Sequence, residues 1–311
     1  MIEQIARKAS LLNYSLLAAK RFNQPVTATL RRAMALYREK RFLAEEAFAA
    51  GLLRLDCDPE LLRNAVSRRH QAQVQRRVNP ASWSPALADK GIFYRFCQAH
   101  QIPIPDLYAI YFRQTPGYCP KGTPLYDSGQ WAQFIATRLP SEFVVKPCGS
   151  YRGMGVLGYT RRGSDEFLAS DGVTRSSRQI VDSLQHSRDA DSFVIQQRLH
   201  SCRALTELSG VSNLQTLRIT TFVDREGKFR VLFSHLKLMT RDDVFTDNIG
   251  DGDNGTLVNV VCPKTGAIAK AFFKTLDGSG DLAVSRHPIT HRELIWLPVP
   301  CWDEACELVR R

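Results

Sequence analysis

The stretch FVVKPCGSYRGMGVLGYT, residues 143–160, decides how the rest of the chain is read. An apolar run ends in Lys146, and Gly149, Gly153 and Gly155 follow closely. Glycines beside a lysine suit a loop that cradles phosphate, because a backbone without Cβ lets its N–H groups approach an anion. Three loop architectures work this way, and the flanking residues separate them. A dinucleotide-binding fingerprint opens a helix, so that the pyrophosphate rests on the helix N-terminus. Here the loop runs into VLGYT, residues 156–160, a strand-like run closed by a turn at Arg161-Arg162-Gly163. A Walker A loop ends in Gly-Lys-Ser/Thr, whereas this one closes with Gly153-Met154-Gly155-Val156. A kinase loop carries its lysine on the strand after the glycines, and Lys146 precedes them. What remains is an antiparallel hairpin whose first strand ends in lysine and whose turn is rich in glycine.

Working outward, the chain changes character near residue 80. Upstream, Ile5, Leu12, Leu16 and Ala19 recur at helical spacing, as do Leu30, Met34 and Tyr37, and then Ala44, Ala47, Phe48, Leu52 and Leu53. Pro25 and Pro59 stand where helices start. Residues 79–85, NPASWSP, predict a turn-rich hinge. Asp89 is a candidate N-cap for a helix leading to Ile102-Pro103-Ile104-Pro105. Beyond it, residues 108–112, 143–146, 156–160, 192–197, 217–223, 229–238 and 257–261 read as strands. A short turn at 224–228 joins two of these. Alternation puts Arg218 on one face of its strand and His235 with Lys237 on one face of the next, a wall suited to a polyanion.

The 311 residues suffice for two packed units, and 44% hydrophobic with 23% charged residues is an ordinary globular balance. No run approaches the roughly 20 apolar residues of a membrane span. MIEQIARKAS has no signal-peptide pattern, so a cytoplasmic location is expected. The eight cysteines include no Cys-x-x-Cys pair and read as reduced structural thiols. Cys148 has no nearby histidine in the sequence to activate it. Net charge is +11, and residues 1–88 hold 15 Lys and Arg against 7 Asp and Glu. That region fits a solvated basic face, an anionic lipid surface or a phosphorylated substrate; nucleic acid is the weakest alternative and is not an expected partner. His287 and His291 make a poor metal pair, with Pro288 between them and no Glu in the metalloprotease position.

In order, then, come Asp89-Lys90 opening a helix, a strand ending in Lys146, the glycine hairpin and a strand ending VIQQ. The Arg218 hairpin and the polar loop DNIGDGDNG, residues 247–255, follow. This ordered set resembles the ATP-grasp superfamily, in which two α+β lobes grip ATP. It is most similar to the sugar-transfer-associated ATP-grasp family, through VNPASW, DKGIFYRFCQAHQIPIPD, VIQQRL, LQTLRITTF and the polar loop, over roughly residues 40–305. The resemblance implies an α+β fold with a basic helical domain over 1–88, a first lobe with a glycine-rich flap over 89–199, and a second lobe over 200–311. It implies ATP and Mg²⁺ as cofactors. The implied activity is a ligase that makes an acyl phosphate from a carboxylate and passes the acyl group to an amine, in polysaccharide or cell-surface glycan biosynthesis. Implied partners are the carboxylate and amine acceptor pair, glycan-synthesis proteins and an anionic membrane surface. The alternative is an ATP-binding adaptor without chemistry that docks through its basic helices.

Carried over by position, Lys146 resembles the lysine on the ATP phosphates and Lys90 a second phosphate contact, with an ordinary solvated lysine as the alternative for Lys90. Gly149, Gly153, Met154 and Gly155 would form the flap, and Gln196, Gln197, Arg198 and Leu199 the adenine and ribose hinge. Arg218 and Lys237 would neutralise charge on the transferred phosphoryl group, unless Arg218 is spent in a cross-strand salt bridge. Asp247, Asn248 and Asn254 are substrate or phosphate candidates, with a solvated glycine turn as the alternative. The family's magnesium ligands come from a late Asp and a Glu-x-Asn, and no Glu-x-Asn follows Val261. No metal ligand is therefore assigned within this chain, which is expected to be a C-terminally truncated ligase, weak or inactive by itself.

Overall fold

A computed structural model describes residues 2–310 except Pro80, Thr115, Pro120, Lys121, Arg152, residues 250–254 and Leu276, and omits the side chains of residues 2–8 and Trp83. Helices α1 (Ile2–Arg21), α2 (Val26–Lys40), α3 (Ala44–Ala49), α4 (Pro59–Asn64) and α5 (Arg68–Val78) come first. Pro25 precedes α2 and Pro59 opens α4, positions where a missing N–H leaves no helical bond unmade. The apolar stripes meet in a core of Ala18, Ala33, Leu36, Phe48, Leu52 and Leu53, while α5 buries none of its residues. The expected hinge at 79–85 is partly helical: a 3₁₀ turn at Ala81–Trp83 runs into α6 (Ser84–Ala88), because Ser84 and Pro85 suit a first helical turn. Asp89 then caps α7 (Lys90–Ala99), its carboxylate accepting from the Ile92 N–H at 2.9 Å.

The first sheet has eight antiparallel strands in the order β3-β2-β1-β8-β4-β5-β6-β7. They are β1 (Leu107–Phe112), β2 (Gly117–Tyr118), β3 (Pro124–Leu125), β4 (Glu142–Pro147), β5 (Leu157–Arg161), β6 (Phe167–Ala169), β7 (Thr174–Arg175) and β8 (Ser192–Gln197). Helices α8 (Ser128–Arg138) and α9 (Ser177–Gln185) cover one face, packing Trp131, Ile135 and Ile180 on Phe143, Val145 and Ile195. Alternation therefore turns Val144 and Lys146 to the opposite face, where Tyr94 of α7 packs with Cys148 and Val194.

The second sheet, β13-β12-β11-β10-β9, comprises β9 (Leu217–Val223), β10 (Phe229–Met239), β11 (Thr256–Val261), β12 (Ile268–Phe273) and β13 (Leu282–Val284). Helix α10 (Arg203–Ser209) and the segment leading to α11 (Trp302–Leu308) close one face over Leu236, Leu238, Leu257 and Ala271. The register of the strands puts Arg218 opposite His235, Lys237 opposite Val258, and Val258 opposite Phe272 on the other face. The helical unit docks at the β12–β13 connection. There a Cβ on Gly278 would stand 2.5 Å from the Phe48 ring, and Gly51 packs on Gly280. Buried His287 approaches the Met239 carbonyl through Nε2 at 3.2 Å, a core histidine and not half of a metal pair. All eight cysteines are free, and among the described residues no helix is long and apolar enough to cross a membrane.

Candidate functional site

Between the two sheets lies a cleft of about 310 Å³. Lys146 enters it because β4 ends there with its non-core face toward the second sheet. Among the described residues its amine has no hydrogen-bond or ion-pair partner. Burial, and after it the charge of Lys90, brings its pKa down to about 8. A half-buried cation without a carboxylate is unfavourable unless an anion joins it, and that is the electrostatic mark of an anion site.

Lys90 lines the same cleft but its amine is engaged. It donates to the Cys148 carbonyl at 3.2 Å and to the Ser150 carbonyl, while its backbone N–H bonds the Cys148 carbonyl at 3.0 Å. It thus ties the start of α7 to the glycine loop, and burial lowers its pKa as well. Cys148 lies in the core beneath α7, where burial pushes its thiol pKa up, the reverse of an activated nucleophile.

Within the loop, two glycines are required by geometry. Gly153 and Gly155 have φ of +73° and +69°, and a Cβ would fall 2.5 Å from Asn248 Nδ2 at the first and 2.8 Å from Pro147 Cγ at the second. Ser150, Tyr151 and Gly153 line the cleft, whereas Gly149, Met154 and Gly155 do not; open space surrounds Gly149. Gly158, within β5, leaves no room for a Cβ because the Phe245 ring from the other half of the chain lies on it. A glycine inside a strand signals such a close approach, yet only Gly158, and not Phe245, could have been flagged by it from the sequence.

The hinge residues Gln196, Gln197, Arg198 and Leu199 all line the cleft. Gln196 accepts from the Tyr94 hydroxyl, and the Gln197 N–H bonds the Asp106 carbonyl at 2.8 Å. Arg198 donates to Glu142 at 3.0 Å and to Thr160 at 3.1 Å, and its guanidinium lies 5.4 Å from the Phe245 ring centre. His200 bonds the other Glu142 oxygen at 2.9 Å. Burial works against it, but these partners hold the Glu142 carboxyl below its usual range.

On the second sheet, Lys237 is 8% exposed and bonds Asp247 at 2.8 Å. The other Asp247 oxygen accepts from the Thr216 N–H at 2.8 Å and from the Thr216 hydroxyl. Lys237, expected on the transferred phosphoryl group, and Asp247, expected on substrate or phosphate or in a solvated turn, therefore neutralise each other. Arg218 lies outside the cleft lining, beside His235, and forms no ion pair among the described residues. Burial, then the charges of Arg218 and Lys237, lowers the His235 pKa. Asn248 is in the lining, and Asn254 lies outside the described residues. Among the described residues no three His, Cys, Asp or Glu side chains converge, and Asp247 is the one carboxylate in the cleft wall.

A family model described as sugar-transfer associated ATP-grasp matches residues 69–311, well over half of the chain, spanning both sheets and leaving α1 to α4 outside. No curated protein matches the chain.

Proposed function

Since the chain belongs to the sugar-transfer associated ATP-grasp family, we propose that its cleft holds ATP with the phosphates on Lys146 and that the protein activates a carboxylate for attack by an amine. Membership brings ATP binding and ligase-type activity; the carboxylate chemistry and a role in glycan assembly are our reading. The observation that carries it is the half-buried Lys146 amine, without a partner among the described residues, beneath a loop that needs glycine at two positions. ATP supplies the phosphoryl group. Val144, Val156, Leu199, Leu214 and Phe245 offer an apolar wall for a base. Lys90 holds the loop, and the loop limits access of water to the reacting atoms.

In the proposed reaction a carboxylate oxygen attacks the γ-phosphorus and ADP leaves. The amine nitrogen then attacks the acyl carbon and expels phosphate. We place a helical unit over 1–88, a first lobe over 89–199 and a second over 200–311. Magnesium in phosphoryl-transfer sites is held by one or two carboxylates together with phosphate oxygens. Asp247 is already engaged by Lys237 and Thr216, so the described residues do not fit a magnesium centre and no step is routed through one. Calorimetry of ATP and ADP binding tests the reading: wild-type protein binds, and Lys146→Met loses most of the affinity. Equal affinity in the two proteins overturns it.

A further inference from the structure

Helix α5 carries a charge pattern that the cleft does not use. Residues 61–78, LLRNAVSRRHQAQVQRRV, hold Arg63, Arg68, Arg69, Arg76, Arg77 and His70 and no Asp or Glu. None of these five arginines forms an ion pair among the described residues. At 11 residues α5 is shorter than a helix that stands alone in water, and it has neither a buried residue nor an acidic partner along its own surface to support it. Its like charges repel one another, so a matching anionic surface would stabilise it.

The side chains are sorted around the helix. At about 100° per residue, Val74 and Val78 share one side, Arg68 and Arg77 flank it, and Arg69, Ala72 and Arg76 stand opposite. The side of Ala72 and Arg76 is the inner one, since with Ser84 and Leu87 of α6 they line a surface cavity, and Arg69 and Ala72 are half-buried. Val74 and Val78, 46% and 68% exposed, therefore face outward. Outward valines flanked by arginines are the pattern of a helix lying in a lipid interface, where the apolar side chains enter and the long basic ones reach headgroup phosphates. A nucleic acid would call for aromatic side chains on which bases stack, and residues 61–78 include no Phe, Tyr or Trp.

We propose that α5 docks the protein on an anionic lipid bilayer, with Val74 and Val78 in the interface and Arg68 and Arg77 on headgroup phosphates. Each arginine held near such a surface multiplies the affinity about fivefold. The contact is reversible, because two valines bury too little apolar area to anchor the chain by themselves. It stands apart from the ATP reading, as no residue of α5 lines the cleft.

The test is co-sedimentation of the full chain with vesicles of phosphatidylcholine alone and of phosphatidylcholine with about 30% phosphatidylglycerol, at about 0.1 M and about 0.5 M salt. Binding is expected to the anionic vesicles only, and to weaken at the higher salt. Arg68→Gln/Arg77→Gln should lower the affinity about thirtyfold, Arg69→Gln/Arg76→Gln less, and Val74→Ser/Val78→Ser severalfold, each variant keeping the wild-type Tm as the sign of correct folding. No binding to the anionic vesicles, or binding that Arg68→Gln/Arg77→Gln leaves unchanged, overturns the proposal. So does binding to poly-glutamate that equals vesicle binding and is indifferent to Val74→Ser/Val78→Ser, which would assign the arginines to an acidic protein.

Discussion

Replacing Lys146 with Met removes a cation whose pKa burial, and secondarily Lys90, has brought from 10.5 to about 8. At about 1.4 kcal/mol per pKa unit, the charged amine costs the free protein on the order of 3 kcal/mol. In the unfolded chain this lysine keeps its proton up to near pH 10.5, and in the folded chain only up to about 8. Between those limits the unfolded state binds more protons, so wild-type stability rises with pH relative to the variant. The expected advantage of Lys146→Met is therefore flat below about pH 8 and shrinks by up to about 1.4 kcal/mol per unit above it. Nucleotide narrows the difference, because phosphates pair with the amine and the variant forfeits a charge-assisted contact of about 2 kcal/mol, roughly thirtyfold in Kd. Urea unfolding of both proteins from pH 6.5 to 9.5, with and without ADP, reads all of this. A stability difference that does not change with pH, or a variant less stable than wild type at pH 7 without ADP, would refute the reasoning.

The same linkage makes wild-type nucleotide affinity pH-dependent: Kd should rise by up to about tenfold per unit above pH 8, as the free amine loses the proton that the phosphates require. Gly153→Ala puts a Cβ at positive φ against Asn248, and a cost of about 1–3 kcal/mol should appear as weaker ADP binding and a lower Tm. Asp247→Asn strips buried Lys237 of its counter-charge and should destabilise the fold by about 3–5 kcal/mol in urea, with much of the loss recovered in Asp247→Asn/Lys237→Met.

The glycine hairpin was legible because its information is local. Lys146, the glycines and the β-branched run after them are contiguous, and β4 and β5 form on either side of the loop. The hairpin of β9 and β10 was legible for the same reason, through alternation across a short turn. Strand β12 was not, since IAKAFF shows no clean alternation and its pairing with β11 is irregular between Val260 and Val261. The hinge at 79–85 was misread because Ser, Pro and Asn punctuate turns and open helices alike. Lys237 and Asp247 each looked like a ligand-binding group on its own, and their bond exists only because the segment that follows β10 brings Asp247 back to Lys237.

The sequence by itself determined which residues alternate, which cap, and where glycine must relieve the backbone, all matters of neighbours within a few positions. It also determined, through the order of its motifs, the family. Only the tertiary structure decided that β8 inserts between β1 and β4, that Phe245 closes on Gly158, and that Lys90 is spent on the loop while Lys146 is left without a partner. It alone decided, too, that residues 42–68 roof a second cavity over the β9–β13 sheet. The physical reason is that charge compensation and close packing are set by which distant segments meet, and a side chain's partner can lie a hundred residues away.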